Sequence, residues 1–161
     1  MQETNSLNQV AEFHKTFKHP IQDSPRIPSR DRCNLRVSLL AEELHELKQA
    51  IDDNDLIEIA DALCDLQYVL SGAILEFGLA DRFKALFDEV HRSNMSKACK
   101  SMEEANETIQ HYRKNQQCDA YHKEEEAMFL VYRTNDHKTL KSINYSPADL
   151  KSIIVTDISA K

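Results

Sequence analysis

The sequence predicts an all-α protein: a bundle of four to five helices that ends in a small β-hairpin and a short helix. Three observations carry that prediction. Only two glycines and four prolines occur among 161 residues, so little interrupts a helix once it has started. Apolar residues recur three and four apart through most of the chain before Cys118, the period of an amphipathic helix. Hydrophobic residues make up 41% and charged residues 29%, a globular composition able to bury a core at this length. The expected layout is one helical domain over residues 1–118, with residues 119–161 as an appendage packed on it.

The first element starts near Ser6, where Ser6-x-x-Gln9 resembles a capping box. Leu7, Val10, Phe13 and Phe17 then form an apolar stripe, with both phenylalanines read as core and His14 and His19 as surface. Residues 19–32 hold three of the four prolines. Proline removes a donor and biases the residue before it away from helix, so this stretch reads as a connector. Arg26 and Arg30 within it have an alternative reading as anion contacts, against which the plain connector is preferred.

The next stretch, Leu39 to Leu66, contains nine acidic residues and a single base, Lys48. Glu42-Glu43-x-x-Glu46 is followed by Glu58-x-x-Asp61, with Asp65 one turn further on. Residues three or four apart share a helix face, so each half projects a carboxylate cluster from one side. At ~100° per residue, Leu35, Leu39, Glu43, Glu46 and Ala50 fall in one stripe, so two acids interrupt an apolar row. Leu40, Leu44, Leu47 and Ile51 widen that row into an expected core-facing surface, with Glu42 at its border. Residues 52–55 break the helix with Asp and Asn side chains that favour turns and N-caps. The second half, Leu56 to Leu75, is apolar nearly all round and reads as a buried central helix, its acids forming one stripe to which Glu76 returns.

Gly78 is placed to close that helix. Asp81 opens a fourth, with Phe83, Leu86, Phe87 and Val90 on its apolar side. Its end turns basic, with Arg92, Lys97 and Lys100 around His91 and Asn94. Ser101-x-x-Glu104 is a well-formed capping box that opens a fifth helix. Beyond Cys118, residues 127–132 are rich in β-formers, residues 134–137 suit a turn, and residues 139–143 are expected to return as the second strand. Ser146-Pro147 reads as an N-cap with proline at the first helical position, starting a short helix through Leu150 to Ile154. Val155 to Lys161 is expected to be a loose end.

Carboxylates facing a core cannot remain ionised and unpaired, because desolvating a charge costs several kcal/mol or more. The one base nearby in sequence, Lys48, falls on the polar face with Ser38, His45 and Gln49 and not beside these acids. A divalent cation is the natural counter-charge, and hard oxygen ligands suit Mg²⁺ or Mn²⁺. Glu43, Glu46, Glu58 and Asp61 are the expected metal ligands. Glu42, at the rim, either completes a second metal site or orients an attacking water, and Asp65 stands behind the ligands. An acidic solvent face on two ordinary helices is the plain alternative. The phases, the doubled spacing and the lack of interleaved bases favour the metal site. No glycine-rich phosphate loop is present.

The same acids carry a resemblance. Glu42-Glu43-x-x-Glu46 followed by Glu58-x-x-Asp61 resembles the EExxE…ExxD signature of the MazG-like, all-α nucleoside triphosphate pyrophosphohydrolases, a superfamily that includes dimeric dUTPases and phosphoribosyl-ATP pyrophosphohydrolases. The resemblance covers about Leu7 to Lys97, including residues 87–97. It implies a MazG-like bundle, the catalytic set Glu42, Glu43, Glu46, Glu58 and Asp61, and phosphate contacts from Asn94 and Lys97, with Arg92 a weaker member. The expected reaction is Mg²⁺-dependent hydrolysis of a (deoxy)nucleoside triphosphate to the monophosphate and pyrophosphate, for house-cleaning of the nucleotide pool. A homodimer or dimer of dimers is implied as well. Candidate substrates are dUTP, dCTP, noncanonical nucleotides and phosphoribosyl-ATP; the long N-terminal element and the C-terminal appendage count against the last.

Two other readings compete. A di-iron carboxylate bundle needs Glu-x-x-His on two helices, and beside Glu42-x-x-His45 only Asp88-x-x-His91 offers a distorted copy. A non-catalytic nucleotide- or metal-binding helical module is the second, although all the signature acids are present. The net charge of −7 disfavours nucleic acid and anionic membranes as partners. No apolar run approaches the ~20 residues that span a bilayer, and the N-terminus has no secretory pattern. The four cysteines are scattered without a Cys-x-x-Cys, as in reduced proteins. A cytoplasmic location is expected.

Overall fold

The computed structural model describes Gln2 and residues 4–155. In chain order the elements are α1 (Ser6–Phe17), α2 (Arg30–Asp52), α3 (Leu56–Glu76), α4 (Ala80–Met95), α5 (Met102–Gln116), β1 (Ala120–Glu125), β2 (Met128–Arg133) and α6 (Leu150–Val155). The fold is thus the expected one, mostly helical with a small antiparallel hairpin and a short final helix. Among the described residues no single helix is long and apolar enough to cross a membrane. Of the expected loose end, residues 156–161 lie outside the described residues, and Val155 closes α6. The chain forms two compact units, residues 1–84 and 85–161. Contacts therefore group α5 with the hairpin, whereas the layout expected from sequence places it with the other helices.

In the first unit, α2 and α3 form a helical hairpin joined by residues 53–55. Asn54 takes a left-handed φ of 55°, which asparagine tolerates better than most residues. The Asp55 carboxylate accepts from the backbone N–H groups of Ile57, at 2.9 Å, and Glu58, at 3.2 Å, making it the N-cap of α3. α1 packs against α3. The connector between α1 and α2 caps the far end of α3: Gln22 N–H donates to the Leu75 carbonyl at 3.0 Å and Arg26 N–H to the Phe77 carbonyl at 3.1 Å. These are carbonyls a helix end leaves without internal partners. Gly78 closes the helix with φ +67°, and a Cβ there would stand 2.0 Å from the Ser24 carbonyl oxygen.

Several expectations for this unit need correction. The N-cap of α1 is Asn5, without a side-chain cap bond, so the Ser6-x-x-Gln9 box does not form. His14 is buried, not a surface residue, while Phe13 and Phe17 are 37% and 61% exposed. The reason is polar: His14 Nδ1 lies 2.9 Å from the Pro20 carbonyl, so the imidazole has a partner inside and turns in with Val10, one turn earlier. Helix α3 is buried mainly at its C-terminal end, from Ser71 to Glu76, while Leu56, Ile57, Leu63 and Leu70 are exposed. On α2, Leu44 and Ile51 are likewise exposed rather than core-facing. One α-helix can bury only the face turned to its neighbours, and within this unit, among the described residues, α1, α2 and α3 leave these outer faces uncovered.

In the second unit, β1 and β2 pair antiparallel, with Glu125 opposite Met128. The two-residue turn is Glu126-Ala127, both at positive φ, 46° and 65°, as a type I′ turn requires. The strand partner thus precedes β2, and the expected return strand is reduced to one isolated bridge, Thr139 to Tyr132. Leu140 instead enters a small core with Cys99, Ala105 and Val131. The Ser101 capping box opens α5 as expected: its hydroxyl accepts from Glu104 N–H at 3.2 Å, while the Glu104 carboxylate accepts from Lys100 N–H at 2.8 Å. Helix α6 begins at Leu150 and not after Ser146-Pro147; Asp149 accepts from Ser152 N–H at 3.2 Å, and its short side chain does the capping.

Candidate active site

The α2–α3 hairpin carries all six carboxylates singled out in the sequence. Asp55 fixes where α3 starts, which sets the phase of Glu58, Asp61 and Asp65 against Glu42, Glu43 and Glu46 on α2. Glu46, Glu58 and Asp61 line one cleft of about 460 Å³, with His45 and Gln49. Glu43 and Asp65 line a neighbouring cavity of about 310 Å³. Glu42 belongs to neither. The site is open: Glu42, Glu46, Glu58 and Asp61 are exposed, and only Glu43 and Asp65 are half-buried. The expectation of core-facing acids is corrected accordingly: on the stripe they interrupt Ala50 is buried and Leu39 half-buried, but Glu46 opens onto the cleft and Leu35 is 39% exposed.

The electrostatics of the cluster centre on Glu43. Partial burial pushes its carboxyl above the usual carboxylate range, and the negative charges of Asp65, Glu46, Glu42 and Asp61 push it further the same way. Each of those acids is therefore close enough to repel Glu43. Among the described residues none of the six has a cationic partner. As the side chains stand, no three His, Cys, Asp or Glu groups among the described residues converge closely enough to hold a metal ion. The donor set nonetheless fits a hard divalent cation: all oxygen, all anionic, and without a protein counter-charge.

The second cavity shows what the sequence reading missed. Its walls include Phe13, His19 and Tyr68. Phe13 stacks on His19 with ring centres 5.7 Å apart and 14° between planes, and meets Tyr68 edge-on at 5.6 Å. Beneath them lies a buried polar network. Glu76, fully buried, accepts from Arg32 and Arg36 through one oxygen and from Arg32 Nε at 3.0 Å through the other. Burial raises the Glu76 carboxyl, but hydrogen bonds from Arg32 and Arg36 outweigh it and hold the group below its usual range. Gly72 makes the space: a Cβ there would meet Arg36 Nη1 at 2.8 Å and His14 Nε2 at 3.1 Å. Since a carbonyl only accepts, His14 carries its proton on Nδ1 toward Pro20, leaving Nε2 bare beside the guanidinium. Burial accordingly lowers the His14 pKa, more than the Pro20 bond raises it. The legible signal was Gly72 four residues before Glu76, a gap and an acid on one face.

Arg92, Asn94 and Lys97 belong to the second unit. Lys97 Nζ donates to Asn94 Oδ1 at 2.7 Å, so the two side chains do point together. Arg92 is engaged elsewhere: it forms two bonds to Glu89, at 2.7 and 2.8 Å, and reaches Ser146 and Pro147. Glu89 is held down to about 2 by Arg92 first and by the Asp149 N–H.

Comparison with known proteins adds family evidence. The phosphoribosyl-ATP pyrophosphohydrolase family model matches residues 10–94, a little over half the chain, taking in all six carboxylates and ending at Asn94. The uncharacterized protein L479 of Acanthamoeba polyphaga mimivirus is 33% identical over 92 residues, which is 55% of this chain and 37% of that protein. The chain thus spans little more than a third of that relative's length.

Proposed function

Because the chain belongs to the phosphoribosyl-ATP pyrophosphohydrolase family, within the MazG-like superfamily, we propose that it hydrolyses a (deoxy)nucleoside triphosphate to the monophosphate and pyrophosphate. The observation that carries this reading is the set of six carboxylates on adjacent helices, without a cationic partner among the described residues, with Glu43 raised by burial and by its neighbours. Glu43, Glu46, Glu58 and Asp61 hold Mg²⁺ in this proposal, with Mn²⁺ as a substitute. The ion, when bound, neutralises charge on the phosphates and lowers the pKa of a bound water. Glu42 orients that water from the rim, and Asp65 supports Glu43 from behind.

Asn94 and Lys97 are proposed as ligands of the phosphate chain. Arg92 shares their place in the sequence, but its engagement by Glu89, Ser146 and Pro147 suits it to holding the protein chain rather than substrate. The aromatic walls of the second cavity offer stacking surfaces of the kind a nucleobase uses, in keeping with a nucleotide-pool role. Four free cysteines support the proposed cytoplasmic setting.

A homodimer, or dimer of dimers, is proposed with the activity. Val37, Leu44 and Ile51 on α2, and Leu56, Leu63 and Leu70 on α3, each repeat every seven residues and are between 41% and 77% exposed. Heptad-spaced apolar rows are what helices bury against helices, and patches of this kind are rarely left to water.

Glu46→Ala and Glu58→Ala test the chemistry. Each is expected to abolish Mg²⁺-dependent turnover while circular dichroism shows unchanged helix content. A variant that keeps a near-normal rate would remove that residue from the mechanism.

A further inference from the structure

The cavity of about 310 Å³ and the cleft of about 460 Å³ follow one another along the α2–α3 hairpin. Glu43 and Asp65 line the cavity, while Glu46 and Asp61, about one turn nearer the connecting residues 53–55, line the cleft. Phe13 and Tyr68 belong to the cavity, whereas the cleft is walled mainly by carboxylates. Resting on the reading of the site given above, a base stacked in the cavity leaves the phosphate chain to run through the cleft. We infer that His45 is a further substrate-binding residue, donating an imidazole N–H to a phosphate oxygen of that chain.

The chemistry of the lining singles out His45. Ions held by Glu46, Glu58 and Asp61 offset the charge of a phosphate chain, but its oxygens also need hydrogen-bond donors, and carboxylates offer none. His45 and Gln49, one turn apart on α2, supply the N–H groups among the side chains that line the cleft. Gln49 Nε2 already donates to Asp53 Oδ2 at 3.0 Å. Asp55, on the same cleft, is taken up in capping α3. Among the described residues the exposed His45 ring has no hydrogen-bond or ionic partner. A neutral imidazole carries one N–H, so the contact requires no protonation. By phase His45 stands about 100° from Glu46, on the polar side of α2, and the cleft reaches round the helix to include it.

The test is calorimetric titration of the full chain with inorganic tripolyphosphate in Mg²⁺ buffer. His45→Phe keeps a flat ring, removes the N–H, and is expected to weaken binding about tenfold, the value of one charge-assisted hydrogen bond. His45→Gln keeps an N–H donor and is expected to retain most of the affinity. Thermal melts with Mg²⁺ alone report separately on the acids. A rise in Tm is expected in the unaltered protein and in both His45 variants, and its loss in Glu58→Ala. Unaltered tripolyphosphate binding by His45→Phe, or an equal loss in His45→Gln, overturns the proposal and leaves the metal site standing. Loss of the Mg²⁺ response in His45→Phe would make the ring an ion ligand and overturns the proposal as well. An unaltered protein that responds to Mg²⁺ but not to tripolyphosphate overturns this proposal alone; one that responds to neither overturns the reading beneath it too.

Discussion

The carboxylate of Glu76 is bound by the guanidinium of Arg36, forty residues earlier in the chain and on the neighbouring helix, and both side chains are buried. A buried charge that loses its partner costs about 3–5 kcal/mol, so Glu76→Ala is expected to destabilise the protein by that amount in urea unfolding. The pH dependence follows by linkage. Glu76 is held below its usual range, so its contribution is complete above pH 4.5 and is lost as pH falls through the lower folded value. His14 is also lowered, so its contribution is complete above pH 6.5 and declines below it. Unfolding midpoints measured from pH 8 to pH 2 are therefore expected to fall in two stages, one beginning below pH 6.5 and one below pH 4.5, and His14→Gln to lose the first.

Of the two glycines, Gly78 is the less replaceable by alanine. Its left-handed φ and the Ser24 carbonyl 2.0 Å from a Cβ combine backbone strain with a collision against backbone. Gly78→Ala is expected to cost about 2–4 kcal/mol, seen as a lowered Tm of several degrees. An unchanged Tm would mean that the connector does not seat on α3.

The acidic cluster should oppose folding until a cation arrives. Glu43 titrates above its usual value, so the metal-free protein loses stability as pH rises from 4.5 through that higher folded value. Glu43→Gln removes the repulsion and is expected to stabilise the metal-free protein by about 0.5 kcal/mol. Mg²⁺ is expected to raise the Tm of the unaltered protein, and the same change is expected to abolish that rise. Thermal melts with and without Mg²⁺ read both effects.

Leu44 lies at the centre of the exposed row on α2. Leu44→Glu is expected to convert the protein to monomers, measured by sedimentation equilibrium, without loss of helix. A chain already monomeric at tens of micromolar would contradict the proposed assembly.

The helical order was legible because its signals are local. Asp55, Gly78 and the Ser101-x-x-Glu104 box act within a few residues of themselves, and each sits where the pattern places it. The hairpin was half legible. β2 is rich in β-formers, but β1, Ala120–Glu125, is polar, and a type I′ turn made by Glu126-Ala127 carries none of the Asn-Gly chemistry that marks one. In the site, the carboxylates and their spacing could be read directly, since they share helix faces. Their exposure could not, because phase gives a direction and not what lies in it. The Arg32–Arg36–Glu76 network depends on contacts between residues forty and forty-four apart, and His14 on a carbonyl in the connector, none of which periodicity sees.

Chemical identity of the products tests the central claim most directly. Purified protein with Mg²⁺ would be incubated with a panel of ribo- and deoxyribonucleoside triphosphates and the products separated by anion exchange. Nucleoside monophosphate and pyrophosphate in equal amounts are expected, with the rate order naming the substrate. Release of single phosphate, or no turnover with either Mg²⁺ or Mn²⁺, would contradict the assignment.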